Sequence, residues 1–357
     1  MTPPAPLAAA GLALLAVFAT ALPAAAETTD RPAATKVATV SDPRISESSA
    51  LVASPTHDDL VWTVNDSGHT ASVFGVRPST GRTAVVLRLR DTDARDWESM
   101  AAQRLPDGTG VLWVGDTGDN NAVRGSIVLR LVREPRHLPR AGATVAVTPV
   151  SLRVRYPDGP HDVEALVATR DGRLLLVTKQ LFAGVVYQVP PRAVAQALAG
   201  RPVLDPVTAR NVGGVAQSLV TDGTSLPDGR IVLRGYVDAV VYADRTRSDR
   251  GLAAERRIAL PAQQQGETLT AVDDGAALLV GSEGVQQPLW RVPLSRPART
   301  PTPAAGRTSA GAGSPTSGPG GVGGDQAAAW ALRCAALGLL PLALLVVRAR
   351  RRRRVRP

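Results

Sequence analysis

The sequence predicts an all-β fold, a β-propeller of five blades, from three observations. Short apolar runs of β type recur through the middle of the chain. Most of them follow an Asp-Gly turn. An acidic residue near the start of the preceding strand repeats at intervals of roughly fifty residues. Units of four short strands at that spacing, repeated about five times, mark a propeller. Six blades and an irregular pair of β-sandwiches are the alternatives.

The apolar runs are Leu60–Val64, Val111–Val114, Leu174–Thr178, Ile231–Arg234 and Leu278–Gly281. They are too short for helices and lack a helical period. Asp107-Gly108, Asp171-Gly172, Asp228-Gly229 and Asp274-Gly275 precede the last four, and the first follows Thr56-His57-Asp58-Asp59. The repeats start at Glu47, Glu98, Glu164, Thr221 and Glu267, spaced 51, 66, 57 and 46 residues. The fourth copy has lost its Glu, and Asp222 follows instead. The last copy shows three strands, ending at Leu289–Pro293. The stretch Val37–Val40 is therefore expected to supply the fourth and close the ring. Trp62 and Trp113 fall at equivalent strand positions, which predicts packing within the blades.

The ends of the chain read differently. Residues 1–26 have the pattern of a signal peptide: an uncharged apolar run, Leu7–Leu22, then Pro23 and three Ala. Residues 27–295 are the expected extracellular propeller domain. Residues 296–326 are rich in Pro, Ala, Gly, Thr and Ser and read as a flexible stalk. Residues 327–347 are long and apolar enough for one transmembrane helix, with Arg333 near enough to its outer end to snorkel. The Arg-rich tail 348–357 belongs on the cytoplasmic side. The expected location is the cell membrane, single-pass, with a C-terminal anchor. No Leu-Pro-x-Thr-Gly precedes the apolar run, so wall attachment is not expected. The net charge of +10 looks basic, but Arg333 and the seven Arg of 348–356 carry +8 of it. The rest is close to neutral, so no nucleic-acid partner is expected. Cys334, the one cysteine, lies in the predicted span and leaves the outer domain without cysteine chemistry.

Asp66-Ser-Gly and Asp116-Thr-Gly resemble aspartic-protease loops. In a propeller the two instead occupy equivalent upper turns of neighbouring blades. They would splay around a ring rather than share a proton, which argues against a protease. The innermost strands run down from this upper face, and the Asp-Gly turns lie at the lower one. Clustered carboxylates on the upper face repel unless neutralised. A hard ion such as Ca²⁺, which accepts oxygen ligands, is one answer. The expected metal ligands are Asp96, Glu98, Asp116, Asp119, Asp162 and Glu164. The rest of the expected ligand-binding face is Glu47, Asp66, Asn120, Arg124, His161, Asp222, Glu267 and Glu283. The competing expectation is that each carboxylate bonds strand amides of its own blade. The four His are scattered, and no nucleophile elbow, zinc motif or phosphate loop is present.

The motifs Asp96-Trp-Glu-Ser-Met100, His161-Asp-Val-Glu-Ala-Leu166, Gly266-Glu-Thr-Leu269 and Val114-Gly-Asp-Thr-Gly-Asp-Asn120, with Arg124 beyond, resemble bacterial secreted β-propellers of the phytase-like group, also called "esterase-like activity of phytase". That resemblance implies Ca²⁺-dependent hydrolysis of a phosphate ester. The upper face departs from it in having few Lys and Arg to hold a polyphosphate. Three functions are therefore carried forward. The first is a binding or scaffolding module with an unknown extracellular ligand. The second is a Ca²⁺-dependent ester hydrolase, and the third a structural envelope protein.

Overall fold

The computed structural model describes residues 33–294. The predicted signal, stalk, span and tail lie outside the described residues. Among those described, no helix is long and apolar enough to cross a membrane.

The first strand, Thr35–Thr39 (β1), belongs to the last blade. Blade 1 contains Ser48–Ala53 (β2), Val61–Asn65 (β3), Ser72–Arg77 (β4) and Arg82–Leu89 (β5). Blade 2 contains Trp97–Arg104 (β6), Gly110–Asp116 (β7) and Ile127–Arg133 (β8). The next strand, Ala143–Val147 (β9), crosses back to run parallel to β5, and Val150–Arg155 (β10) then completes blade 2. Blade 3 contains Val163–Ala168 (β11), Leu174–Thr178 (β12) and Gly184–Gln188 (β13). A helix, Pro191–Leu198 (α1), and Val203–Thr208 (β14), parallel to β10, precede its fourth strand, Arg210–Val215 (β15). Blade 4 contains Asp222–Ser225 (β16), Ile231–Arg234 (β17), Asp238–Asp244 (β18) and Leu252–Ala259 (β19). Blade 5 contains Gly266–Val272 (β20), Ala277–Ser282 (β21) and Pro288–Pro293 (β22). β1 lies antiparallel to β22, from Thr35 opposite Arg291 to Thr39 opposite Pro288.

The five-bladed ring is thus closed by the N-terminal strand, as the sequence predicts. The innermost strands β2, β6, β11, β16 and β20 pack against one another around the axis. The Asp-Gly turns join the first and second strands at the lower face. There Gly108 and Gly229, at φ of +80° and +91°, adopt a conformation that a side chain would strain.

The core has five parts, one at each junction between blades. Trp62, Val73 and Leu87 of blade 1 meet Met100, Leu112 and Val114 of blade 2. Trp113 and Leu129 of blade 2 meet Leu166, Leu176 and Tyr187 of blade 3. Val177 and Val186 meet Leu233 and Tyr242 at the next junction. Val232 and Val241 then meet Leu269 and Val280. Leu279 and Leu289 close the circle against Leu51, Val61 and Phe74. Each sheet is buried on both faces, which is why its second strand reads as a continuous apolar run rather than an alternating one. Trp62 and Trp113 are both fully buried in this packing.

The long 66- and 57-residue intervals are explained by β9 and by α1 with β14. These pieces cover the outer edges of the preceding blades, where unpaired strand groups would otherwise remain. Sequence reading allots four strands to each blade and misses them. A parallel partner is reached by a crossover, so it leaves no hairpin signal.

Candidate functional site

Four of the five innermost strands carry one extra residue near the upper end. It is Ser49 in β2, Glu98 in β6, Glu164 in β11 and Glu267 in β20. A bulge of this kind re-aims its side chain away from the regular pleat. β16 has none and pairs continuously from Asp222 opposite Arg234. The three Glu are therefore equivalent, and their counterpart in blade 1 is Ser49, not Glu47. The same registers correct the equivalence expected for the two tripeptides. Trp62 and Trp113 sit opposite Val52 and Ala101, so Asn65 is the counterpart of Asp116 and Asp66 that of Thr117. A slip of one residue in a strand changes which way a side chain is presented. Asp66 and Asp116 consequently meet different neighbours.

Asp66 of blade 1 meets Asp96 and Glu98 of blade 2. One carboxylate oxygen from each lies within 4.8 Å of the others, and all three residues are buried. The backbone around them is tied within each blade and, at Ser49, across the two. Ser49 Oγ donates to the Trp97 carbonyl at 2.7 Å, and the Asp66 amide donates to the Glu47 carbonyl at 2.9 Å. The amides of Thr117 and Gly118 both donate to the Asp96 carbonyl at 3.1 Å. Gly118 is obligatory here, because a Cβ would stand 2.6 Å from Asp96 Cγ and 2.7 Å from Glu98 Cγ. Hard oxygen donors converging in this way suit Ca²⁺ or Mg²⁺.

The structure places the other expected metal ligands among protein partners. Asp116 forms a 2.8 Å ion pair with Arg124, which is itself buried. Arg124 also donates from Nη1 to the Gly118 carbonyl at 2.8 Å, and its amide donates to Asp119 at 2.7 Å. Asp162 accepts the Asp119 amide at 2.8 Å. Glu164 forms a 2.6 Å pair with Lys179, both side chains being buried. Burial pulls the Lys179 ammonium down, but Glu164 and the carboxylates beyond it prevail, and the net direction is well up.

The remaining expected residues are spread around the mouth. Asp222 is fully buried, and its two oxygens accept three amides. Leu269 in β20 donates at 2.7 Å and Leu51 in β2 at 3.2 Å, both to Oδ2, while Gly223 donates to Oδ1 at 2.8 Å. It thus fastens three innermost strands together. Burial raises its pKa well above the usual carboxylate range, against those donors and Arg234. Glu267 and Glu283 both accept from Gln265 Nε2. Glu47 pairs with His69 at 2.9 Å. His161 lies between Asp158, at 3.0 Å, and the Tyr187 hydroxyl, at 2.8 Å. Asn120 is exposed at the tip of its loop.

The expectation that this face is poor in Lys and Arg is corrected in part. Arg124, Lys179 and Arg234 are all buried in it, and the last two went unnoticed in the sequence. Arg234 is fully buried, and burial lowers its pKa to about 10. It donates to the carbonyls of Thr268 at 2.7 Å and Gly281 at 3.0 Å, tying blade 4 to blade 5. The available signal was positional: Lys179 follows the second strand of blade 3 directly, and Arg234 ends that of blade 4.

A cavity of about 1,020 Å³ opens at the opposite, lower mouth of the channel, with Ala53, Gln103, Ala168, Ser225 and Val272 in its wall. Hydroxyls there already serve neighbouring strands: Thr270 Oγ1 accepts the Ala53 amide at 2.9 Å, and Ser225 Oγ donates to Ala168 at 2.7 Å. Carboxylates stand at its rim, but the convergent trio belongs to the upper face.

No family model matches the chain, and no curated protein matches it, so the phytase-like resemblance rests on the short motifs. Solved structures of similar fold include the Myxococcus xanthus glutaminyl cyclase, at 10% identity and a TM-score of 0.42, over 74% of this chain and 97% of that one. A streptogramin B lyase is 11% identical with a TM-score of 0.36, over 73% and 97%. The PQQ-bound aldose sugar dehydrogenase of Streptomyces coelicolor is 11% identical with a TM-score of 0.41, over 74% and 98%.

Proposed function

We propose that the protein is a membrane-anchored, extracellular binding module whose upper face takes the ligand and is stiffened by a divalent cation. The observation that supports this best is the convergence of Asp66, Asp96 and Glu98 from two blades in a buried position. Three like charges that close are costly unless neutralised. Ca²⁺ fits the donor set, and these three residues would hold it. When bound it supplies positive charge and a cross-link between blades 1 and 2. Asp116 and Glu164 are held in ion pairs with Arg124 and Lys179, which favours a structural and binding role for this face over hydrolysis.

Melting the 27–295 domain tests the reading, since β1 closes the ring within that span. A cation at about a hundred times its dissociation constant adds about 2.7 kcal/mol. For a domain of this size that is a rise of about 5–10 °C over chelator. Asp96→Asn should abolish the rise. It should also melt higher than wild type in chelator, because it relieves repulsion. Identical wild-type curves with calcium and chelator would remove the cation. Turnover of an ester panel that is lost in Asp96→Asn would point to the hydrolase instead. The anchor is tested on intact cells, where external protease should release the domain by cutting the 296–326 stalk; protection would reverse the orientation.

A further inference from the structure

Seven large hydrophobic residues are strongly exposed among those described, and five of them lie on the upper face. Val123 is in the β7–β8 connection, Leu181 and Phe182 are in β12–β13, Val237 is in β17–β18 and Val285 is in β21–β22. All of these connections join second to third strands, so four blades present an apolar residue at the same place in the repeat. Phe182 is 85% exposed, and Val123 and Val237 are each 68% exposed. Single exposed apolar residues are ordinary, but their concentration on one face marks an interaction surface.

The loops that carry them are braced from beneath. Lys179 Nζ lies 5.3 Å from the Tyr236 ring centroid, between the loops of Phe182 and Val237. The Leu219 amide donates to the Gln180 carbonyl at 2.7 Å. Gly284 of blade 5 donates to the Ser46 carbonyl of blade 1 at 2.9 Å. Such loops hold their apolar tips out without large rearrangement, which limits the ordering cost of binding.

Inside this apolar crown the charge is negative. Glu47, Glu267 and Glu283, the carboxylates paired with Arg124 and Lys179, and the Asp66–Asp96–Glu98 trio, whose three charges exceed the two of a divalent cation, together outnumber Arg124, Lys179 and Arg234. The field from such a recess attracts positive groups and rejects negative ones. Leu294, the last described residue, lies by the lower turn of blade 5, its amide donating to the Ala276 carbonyl at 2.8 Å.

We propose that the crown docks a polypeptide segment that sets apolar side chains against Phe182, Leu181, Val237, Val123 and Val285 and directs a Lys or Arg toward the acidic mouth. The proposal rests on the upper face being the binding face and names what binds there. The occupant is cationic because the mouth is acidic, and it carries apolar groups because the crown does.

A random peptide library displayed on phage, selected against the immobilised 27–295 domain, tests this. Recovered sequences should combine Lys or Arg with large apolar residues. The strongest peptide, made synthetically, should bind at least about tenfold more weakly to Phe182→Ser/Val237→Ser, as expected for loss of an interface anchor. Its affinity should also fall with added salt. Both substitutions are at exposed positions, so the variant should keep the wild-type melting curve. Acidic or purely polar sequences, an empty selection, or undiminished binding to the variant would each overturn the docking proposal. The calcium-dependent melting shift is read on the same variant. Its persistence beside a failed selection separates this failure from failure of the cation reading.

Discussion

Replacing Asp222 with Ala should remove the main polar fastening at the axis. The carboxylate serves the amides of Leu269, Leu51 and Gly223, all buried, at 2.7, 3.2 and 2.8 Å. A buried amide left without an acceptor costs about 1–3 kcal/mol. Three such losses, offset by no longer burying the carboxyl group, give about 3–5 kcal/mol. That is a large share of a typical domain's 5–15 kcal/mol. The melting temperature should fall by roughly 8–15 °C. Urea unfolding and calorimetry of the 27–295 domain measure both quantities. Asp222→Asn keeps one acceptor oxygen but turns an amino group toward an amide, and should cost less. The pH dependence supplies a second readout. The raised carboxyl holds its proton in the folded protein where the unfolded chain has released it. Its contribution is complete below the ordinary value of 3.8 and is lost as pH rises toward the folded value. Wild type should therefore lose stability relative to Asp222→Asn as pH rises above about 4. A loss under about 1 kcal/mol for Asp222→Ala would refute the fastening argument.

Lys179→Met should destabilise the domain by about 3–5 kcal/mol, because Glu164 is left charged and buried, and Lys179→Met/Glu164→Leu should recover most of it in chemical denaturation. Gly118→Ala should lower the melting temperature and remove the calcium response together, because its Cβ collides with Asp96 and Glu98; a response of wild-type size would count against a cation there. Asp42 sits at the outer edge, where burial pushes its carboxyl up but hydrogen bonds from Arg44 and Thr83 overrule it and hold the pKa down to about 2. Its stabilisation is present above the ordinary carboxylate value and lost as pH falls through about 2. Asp42→Asn should accordingly cost about 1 kcal/mol at neutral pH, after solvent screening, and nothing in strong acid.

Much of the site was legible as a set of positions but not as a set of partners. Glu98, Glu164 and Glu267 are legible as acidic residues near the start of the strand that precedes each Asp-Gly turn, and the registers make them equivalent. Their fates then diverge. Glu98 joins a carboxylate from the neighbouring blade, Glu164 takes Lys179, and Glu267 takes Gln265. Nothing local in the sequence separates Glu98 from Glu164, because their partners lie in another blade or another strand, whereas the Gln265 partner of Glu267 is two residues away. The offset between Asp66 and Asp116 escaped for a related reason. The two tripeptides align by similarity, whereas the ladders align by Trp62 and Trp113 packing into the core.

The sequence by itself determined the repeat, favoured five blades over six, and pointed to the strand that closes the ring. These depend on short-range signals: apolar runs, Asp-Gly turns and a spacing repeated along the chain. The tertiary structure decided the rest. It chose β9 and β14 as edge strands, placed Arg234 and Lys179 among carboxylates, and set Asp66 rather than Asp116 beside Asp96 and Glu98. It also gathered apolar residues from four loops, far apart in sequence, onto one face. Those outcomes depend on which blades become neighbours around a closed ring, and long-range packing fixes that.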